Sequence, residues 1–295
     1  MKSVQSGILA DETRIARYMT FSIATIDNLN QALIALANEI DTEETIIGFG
    51  KSLIDTLGKK IPELKVFPAQ TGPGIESPST PAALWCWLRG DDRGELYHRS
   101  CLIESILLPN FTLDDITESF QFADNRDLSG YVDGTENPAG NDAINAAIVQ
   151  DNISGMNGSS FVAVQQWLHD FEAFNSMDTE DQDNAIGRHI IDNEEFDEAP
   201  DSAHVKRAAQ ESFNPEAFIL RRSMPWAEGM DAGLMFIAFG KSFDAYEAIL
   251  NRMLGKEDGV IDALFKFTRP ISGAYFWCPP VINGKLDLSI LSLDG

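Results

Sequence analysis

One pattern occurs twice in this chain, 150 residues apart, and it narrows the fold more than any other feature. Leu84-Trp85-Cys86-Trp87-Leu88-Arg89-Gly90 lines up with Leu234-Met235-Phe236-Ile237-Ala238-Phe239-Gly240. In each copy a run rich in apolar residues ends at a glycine, and a helical pattern follows. Few residues are identical, so what repeats is a structural pattern and not a sequence. The chain has 295 residues, a length that ordinarily means about two domains. Two copies of one unit satisfy both observations.

The elements around each copy predict the unit. In the first half, Tyr18 to Thr25 reads as a strand. Asp27 is a candidate N-cap for a helix with Leu29, Leu33, Leu36, Ala37 and Ile40 on one face. Thr45 to Phe49 is a short strand, and the turn formers of residues 68–81 mark a surface loop. Leu84 to Leu88, a helix over Arg93 to Leu107, and a strand over Ile116 to Phe122 complete the half. The order is β-α-β-β-α-β, the ferredoxin-like arrangement. The second half repeats it. Ser160 to Gln166 is a strand, Gln166 to Met177 is helix-like, and Ala217 to Arg222 and Gly233 to Phe239 are strands. Ser242 caps a helix carrying Phe243, Tyr246, Ile249, Leu250, Met253 and Leu254, and Ile271 to Trp277 closes the unit. The expected fold is α+β: two ferredoxin-like units, residues 1–140 and 141–295, with antiparallel sheets facing each other and helices outside. Between the second-half helix and its next strand lies Asp178 to Pro215, which shows no long periodic segment and holds two of the four histidines. Loops of that length in a compact domain are usually functional or disordered.

Composition excludes whole classes of function. Lys and Arg number 22 against 46 Asp and Glu, a net charge of −24. Such a chain offers no basic face for nucleic acid or an anionic membrane. No apolar run approaches a membrane span, and Met1 to Ala10, although it carries Lys2, has no apolar stretch of signal-peptide length. A cytoplasmic location is expected. Cys86, Cys101 and Cys278 have no metal-binding spacing and cannot all pair, so buried free thiols are expected. The tail Leu286 to Gly295 alternates like an added strand, or serves as a docking peptide for a shell or partner subunit. A homodimer or higher homo-oligomer is expected from exposed sheet faces.

Two tempting motifs carry no chemistry. Gly50-Lys51-Ser52 and Gly240-Lys241-Ser242 suggest phosphate loops, but Thr45 and Met235 stand where the loop needs its first glycine. Each is a strand-ending glycine before a helix. Among His98, His169, His189 and His204, no pair has zinc-like spacing with a third ligand nearby. His204 stands out because it lies in the long loop, close in sequence to the Arg221-Arg222 strand. One histidine suffices for a metal that brings four ligands of its own. The most unusual stretch is Gly130-Tyr131-Val132-Asp133-Gly134-Thr135-Glu136-Asn137-Pro138, in which two glycines bracket an aspartate. A bare Asp-Gly is ordinarily a solvated turn; the company this one keeps further along the chain changes its meaning.

That glycine-bracketed aspartate with its extension resembles the signature of the dye-decolourising peroxidases, haem enzymes built from two ferredoxin-like units. The resemblance continues in order through Ile186-Gly187-Arg188, Asp201-Ser202-Ala203-His204 and Ile219-Leu220-Arg221-Arg222-Ser223, and covers nearly the whole chain. The pattern is closest to the shorter, cytoplasmic branch.

The resemblance implies haem b in the second unit, with His204 as the proximal iron ligand. Its other ring nitrogen needs an acceptor, either Asp262 or a backbone carbonyl. Asp133 is implied as the acid/base for hydrogen peroxide, and an aspartate in that role predicts a low-pH optimum. Arg221 is implied as the stabiliser of the departing oxygen; adjacent strand residues face opposite ways, so Arg222 points elsewhere. Ser223 stands where some members have asparagine, and its hydroxyl can still donate a hydrogen bond. Arg188 is implied to pair with a haem propionate, the alternative being an ion pair with carboxylates of its own loop. Gly134 and Thr135 belong to the same cofactor-binding set, and His189 flanks the haem edge. The donors expected are phenolic or dye-like aromatics. Trp226, Tyr246, Tyr275 and Trp277 are candidate electron relays, or simply core aromatics. Two rival readings stand beside the peroxidase: haem storage or iron release without peroxide turnover, and a haem-free binding or assembly module.

Overall fold

The computed structural model describes residues 3–293. The first half contributes strands β1 (Ile15–Ile23), β2 (Thr45–Gly50), β3 (Leu84–Gly90) and β4 (Phe111–Phe120), with helices α1 (Leu29–Glu39) and α2 (Arg93–Leu107). The second half opens with helix α3 (Gly140–Ala147) and strand β5 (Ser160–His169). Helix α4 (Thr179–Ile186), strands β6 (Met224–Glu228) and β7 (Asp231–Gly240), helix α5 (Asp244–Met253) and strand β8 (Ala274–Cys278) follow. Strand order is β2-β3-β1-β4 in one half and β6-β7-β5-β8 in the other, all pairs antiparallel.

The two sets of strands do not form separate sheets. Ser119 of β4 pairs with Trp226 of β6, and Phe49 and Gly50 of β2 pair with Trp277 and Phe276 of β8. The eight strands therefore close on themselves, and the expected pair of facing sheets is replaced by one closed sheet. Closure leaves none of these eight at a free edge, which removes the backbone groups that would otherwise invite aggregation. Gly48 lies at this seam, where a Cβ would come within 2.7 Å of the Phe276 Cβ.

Closure also explains the repeated apolar runs. Side chains alternate between the two faces of a strand. Tyr18, Ile46, Trp85, Trp87, Ile237, Phe239 and Phe276 share one buried cluster, and Trp85 stacks on Phe276 at 5.8 Å. Their neighbours Met19, Ile47, Cys86, Leu88, Ala238 and Trp277 belong to a second cluster with the inner faces of α1, α2 and α5. Both faces of the sheet are covered, so β3 and the C-terminal part of β7 are buried at nearly every position and cannot show polar alternation.

Helix α2 spans the predicted residues, and Asp92 caps it by accepting from the N–H groups of Gly94 and Glu95. Gly50 ends β2 and a helix over Lys51–Thr56 follows; Gly240 ends β7, and Ser242 Oγ accepts from the Asp244 N–H at the start of α5. Several boundaries differ from expectation. β1 begins at Ile15, and α1 is preceded by Asn28 in a left-handed conformation instead of being capped by Asp27. β4 begins at Phe111, and the loop at 68–81 carries a small hairpin, Gln70–Gly72 with Ile75–Ser77. The helix expected over Gln166 to Met177 is short, Phe171–Ser176, because β5 runs on to His169 and pairs there with Thr268. The strand expected over Ala217 to Arg222 is only Leu220–Arg221. Cys86 and Cys278 are buried, and burial pushes both thiols up; Cys101 is exposed, contrary to expectation. No helix among the described residues is long and apolar enough to cross a membrane.

Among the described residues, the C-terminal tail adds no strand to the closed sheet. Lys285–Leu286 pairs only with Val281–Ile282, and a 3-10 turn over Ser289–Leu291 follows. Leu286, Leu291 and Leu293 are buried in the main core cluster. Asp294 and Gly295 of the expected docking tail, like Met1 and Lys2 of the N-terminal reading, lie outside the described residues. Leu291 is completely buried, so Leu291→Ala should cost about 2–5 kcal/mol of stability. Equilibrium denaturation checks this, and an unchanged midpoint would mean that the tail does not pack.

Candidate functional site

Residues 178–215, the stretch without a predicted pattern, are built from local devices. Asp178 caps α4 through the Asp181 N–H, and α4 stops at Gly187, which has φ 93°. A Cβ on Gly187 would meet Val205 Cγ2 at 2.3 Å. This close approach presses the end of α4 against a single helical turn, His204–Arg207. The buried guanidinium of Arg207 fixes that turn from the other side. It donates to both oxygens of Asp258 at 2.8 Å and to the Arg252 carbonyl at the end of α5. The same hydrogen bonds hold the Asp258 carboxyl well below the usual carboxylate range.

His204 begins this turn. Its Nδ1 lies 2.7 Å from Asp262 Oδ2, and the Asp262 side chain is wholly buried. The other carboxylate oxygen accepts from the Leu264 N–H, and the Asp262 backbone is tied to Met253. With Asp262 accepting the Nδ1 proton, Nε2 keeps its lone pair for a metal. Of the two acceptors open to the sequence, the structure selects the carboxylate.

Asp133 follows a tight loop in which Arg126 bridges to Val132. Its N–H donates to the Asn125 carbonyl, and its Oδ1 accepts from the Gly134 N–H at 2.7 Å. Gly134 has φ 78°, a conformation that favours glycine. Arg221 lies opposite in sequence but close in space. Its backbone N–H and C=O both bond to the side-chain amide of Asn137, at 2.9 and 2.8 Å. The guanidinium is different: Nε is buried without a partner, and among the described residues no carboxylate pairs with the group. Arg222 is turned away, with its Nε donating to the Ile8 carbonyl.

Asp133, His204 and Arg221 line one cavity of about 1040 Å³, counted out to its mouth. One wall is Leu234 and Phe236 of β7 and Trp167 of β5; another is Tyr246, Ile249 and Met253 of α5. The pocket thus sits between the sheet and the helix of the second half, and the loop carrying Asp133 closes one end. A smaller cleft of about 420 Å³, lined by Glu12, Gln121, Asn125 and Asn137, meets the first at Asp133 and Arg221.

Other predicted residues lie elsewhere. Arg188 does not line the cavity: its guanidinium donates to Glu195 at 2.7 Å, Glu136 at 3.1 Å and the Asn193 carbonyl. This is the ion pair within its own loop. Thr135 Oγ1 accepts from Asn193, while Gly134 and Ser223 line the smaller cleft. Ser223 Oγ accepts from the Ile237 N–H. His189 sits half-exposed beside Asp183 and Phe196, and His98 is exposed. Of the four candidate relay aromatics, Tyr246 lines the cavity, while Trp226, Tyr275 and Trp277 are core residues.

Sequence reasoning missed a second histidine pair. His169 lines the cavity, with Nε2 2.9 Å from Asp127 Oδ2 and Nδ1 2.7 Å from Thr268 Oγ1. Burial raises the Asp127 carboxyl, but the hydrogen bond and charge of His169 outweigh it and the net shift is downward. This pair ties the loop before Asp133 to the end of β5. The aspartate and histidine are 42 residues apart, so no spacing rule could have joined them.

Comparison with known proteins agrees with this geometry. Residues 124–283 match the family model described as Dyp-type peroxidase, C-terminal. A dye-decolorizing peroxidase of Mycolicibacterium paratuberculosis is 30% identical, covering 93% of this chain and 83% of its own. A dye-decolorizing protein from V. cholerae superposes with a TM-score of 0.85 at 27% identity, over 97% of this chain and 98% of that one. A variant of DypB from Rhodococcus jostii RHA1, solved in complex with heme, gives 0.82 at 27% identity over 92% and 94%. The chain belongs to the Dyp-type peroxidase family.

Proposed function

We propose that the cavity holds haem b, with His204 as the iron ligand, and that the protein uses it to reduce hydrogen peroxide and oxidise small aromatic donors. The observation that carries this reading is the shared cavity. A histidine with its Nδ1 occupied and an arginine that pairs with no carboxylate among the described residues line the same largely apolar pocket. The residues fit such a group. Leu234, Phe236, Ile249 and Met253 offer apolar surface for a flat macrocycle. Asp262 orients the imidazole and increases its electron donation. The orphaned Nε of Arg221 is an unused donor in a place where unused donors are rare.

Bound haem supplies the redox-active iron that passes electrons from donor to peroxide. The chain supplies the proton handling. Asp133 takes a proton from one peroxide oxygen and returns it to the other, which leaves as water. Arg221 stabilises the negative charge that grows on the departing oxygen as the O–O bond lengthens. Because no carboxylate neutralises this guanidinium, its charge is available to the reaction. The apolar walls keep bulk water away and so strengthen both interactions.

Arg188 fits the propionate role only by exchange. Glu136, its weaker partner, has a side chain that is 71% exposed, so a propionate would displace a carboxylate that is easily returned to water. We read the halves, residues 1–140 and 141–295, as two ferredoxin-like units. The element order and the matching strand order in each half support that reading.

Four outcomes are expected. His204→Ala should lose haem or bind it weakly, read as loss of the Soret band after reconstitution. Asp133→Asn should keep the Soret band and lose roughly 10²–10⁴ in the rate of reaction with peroxide. Arg221→Ala should keep it and lose on the order of 10²–10³. Both rates come from stopped-flow absorbance. Asp262→Asn should keep haem but reduce activity or affinity about 10–100-fold. A reconstituted wild-type protein that binds haem but oxidises no dye or phenol with peroxide would refute the peroxidase reading.

A further inference from the structure

Arg221 sits at the end of a two-residue strand, Leu220–Arg221, which pairs with β7 on one side. The Arg222 N–H donates to Ile237 of β7, so the N–H and C=O of Arg221 face the other way, where no strand lies. The side chain of Asn137 fills that place. Its Oδ1 accepts from the Arg221 N–H at 2.9 Å and its Nδ2 donates to the Arg221 carbonyl at 2.8 Å. One amide thus reproduces both hydrogen bonds of a missing neighbouring strand.

Asn137 also belongs to the turn that carries Asp133. The Asn137 N–H donates to the Gly134 carbonyl at 3.0 Å, and the Gly134 N–H donates to Asp133 Oδ1. Pro138 restricts the backbone of Asn137 to extended conformations and so narrows where the amide can point. Gln210 repeats the device one step along. It is buried, its Nε2 donates to the Glu136 carbonyl at 3.1 Å, and its Oε1 accepts from the Ile219 N–H at 2.8 Å. Two side-chain amides therefore join residues 136–137 to residues 219–221 across a sequence gap of over 70 residues.

We propose that Asn137 is a positioning residue that holds the guanidinium of Arg221 and the carboxylate of Asp133 at a fixed separation across the cavity. The proposal rests on the roles assigned above to Asp133 and Arg221. Asn137 acts on the reaction through them and touches neither peroxide nor haem. Its contact is with the backbone of Arg221, so removing it should leave haem and donor binding in place and loosen only the arginine. A misplacement of about 1 Å can cost on the order of 10²-fold in rate.

The test uses haem-loaded Asn137→Ala and Asn137→Asp beside Asp133→Asn, Arg221→Ala and the double variant Asn137→Ala/Arg221→Ala. Asn137→Asp keeps the size of the side chain and the acceptor for the Arg221 N–H but loses the donor, so it carries the test if the alanine variant fails to fold. Two quantities are read: the rate of reaction with peroxide, and the affinity for cyanide from the absorbance change. Hydrogen cyanide, like peroxide, must give up a proton and leave an anion beside the guanidinium. Asn137→Ala should lose roughly 10–100-fold in both, with KM for the donor unchanged. The double variant should be no slower than Arg221→Ala alone, because the two changes remove one function. Unchanged peroxide rate and cyanide affinity in both Asn137 variants, with Asp133→Asn and Arg221→Ala impaired, would overturn the positioning role alone. So would full additivity in the double variant. Wild-type rates in Asp133→Asn and Arg221→Ala would instead overturn the catalytic assignments and the positioning role with them.

Discussion

Closure of the antiparallel sheet sets the terms for everything else in the molecule. Once β4 meets β6 and β2 meets β8, each of the eight strands has neighbours on both sides and its residues point alternately into the barrel or towards the helices. The inward set, with Trp85, Trp87, Phe239 and Phe276, packs as a stacked aromatic core. The cavity forms outside the sheet, under the helices. It does so where α5 stands off β5 and β7, and where residues from the long loop and the Asp133 turn complete the walls.

The pocket places its charges unevenly, and the unevenness has chemical meaning. His204 is held by the buried Asp262, His169 by the partly buried Asp127, and Arg207 by Asp258. The Arg221 guanidinium has no carboxylate partner among the described residues, and the Arg221 backbone is held by Asn137. A cation kept in place but not neutralised suits an anion that exists only during the reaction. The histidine, whose ring orientation must not vary, receives the opposite treatment.

Much of this was legible before the structure. The repeated run ending in glycine located β3 and β7, because burial on both faces leaves an unbroken apolar signal. Arg93 to Leu107 was legible from its helical pattern alone, and the Asp92 cap that starts it came with the structure. The motifs singled out His204, Asp133 and Arg221, and the structure places all three on one cavity. The strand extension to His169 was not legible, since its pairing partner Thr268 lies about a hundred residues away. Neither were the local ion pair of Arg188, the His169–Asp127 pair and the two amide bridges from Asn137 and Gln210. Each is a contact between distant segments, made by residue types common on any surface.

The sequence by itself therefore determined the element order, the apolar faces and the family motifs, since these depend on local periodicity and on short runs of particular residues. Only the tertiary structure decided that two sheets would be one, that the imidazole would be held by Asp262, and that Arg221 would stand unpaired in the cavity. The reason is physical. Local pattern records which face of an element must be buried, but closure, charge pairing and the lack of a partner depend on which distant groups arrive on the other side.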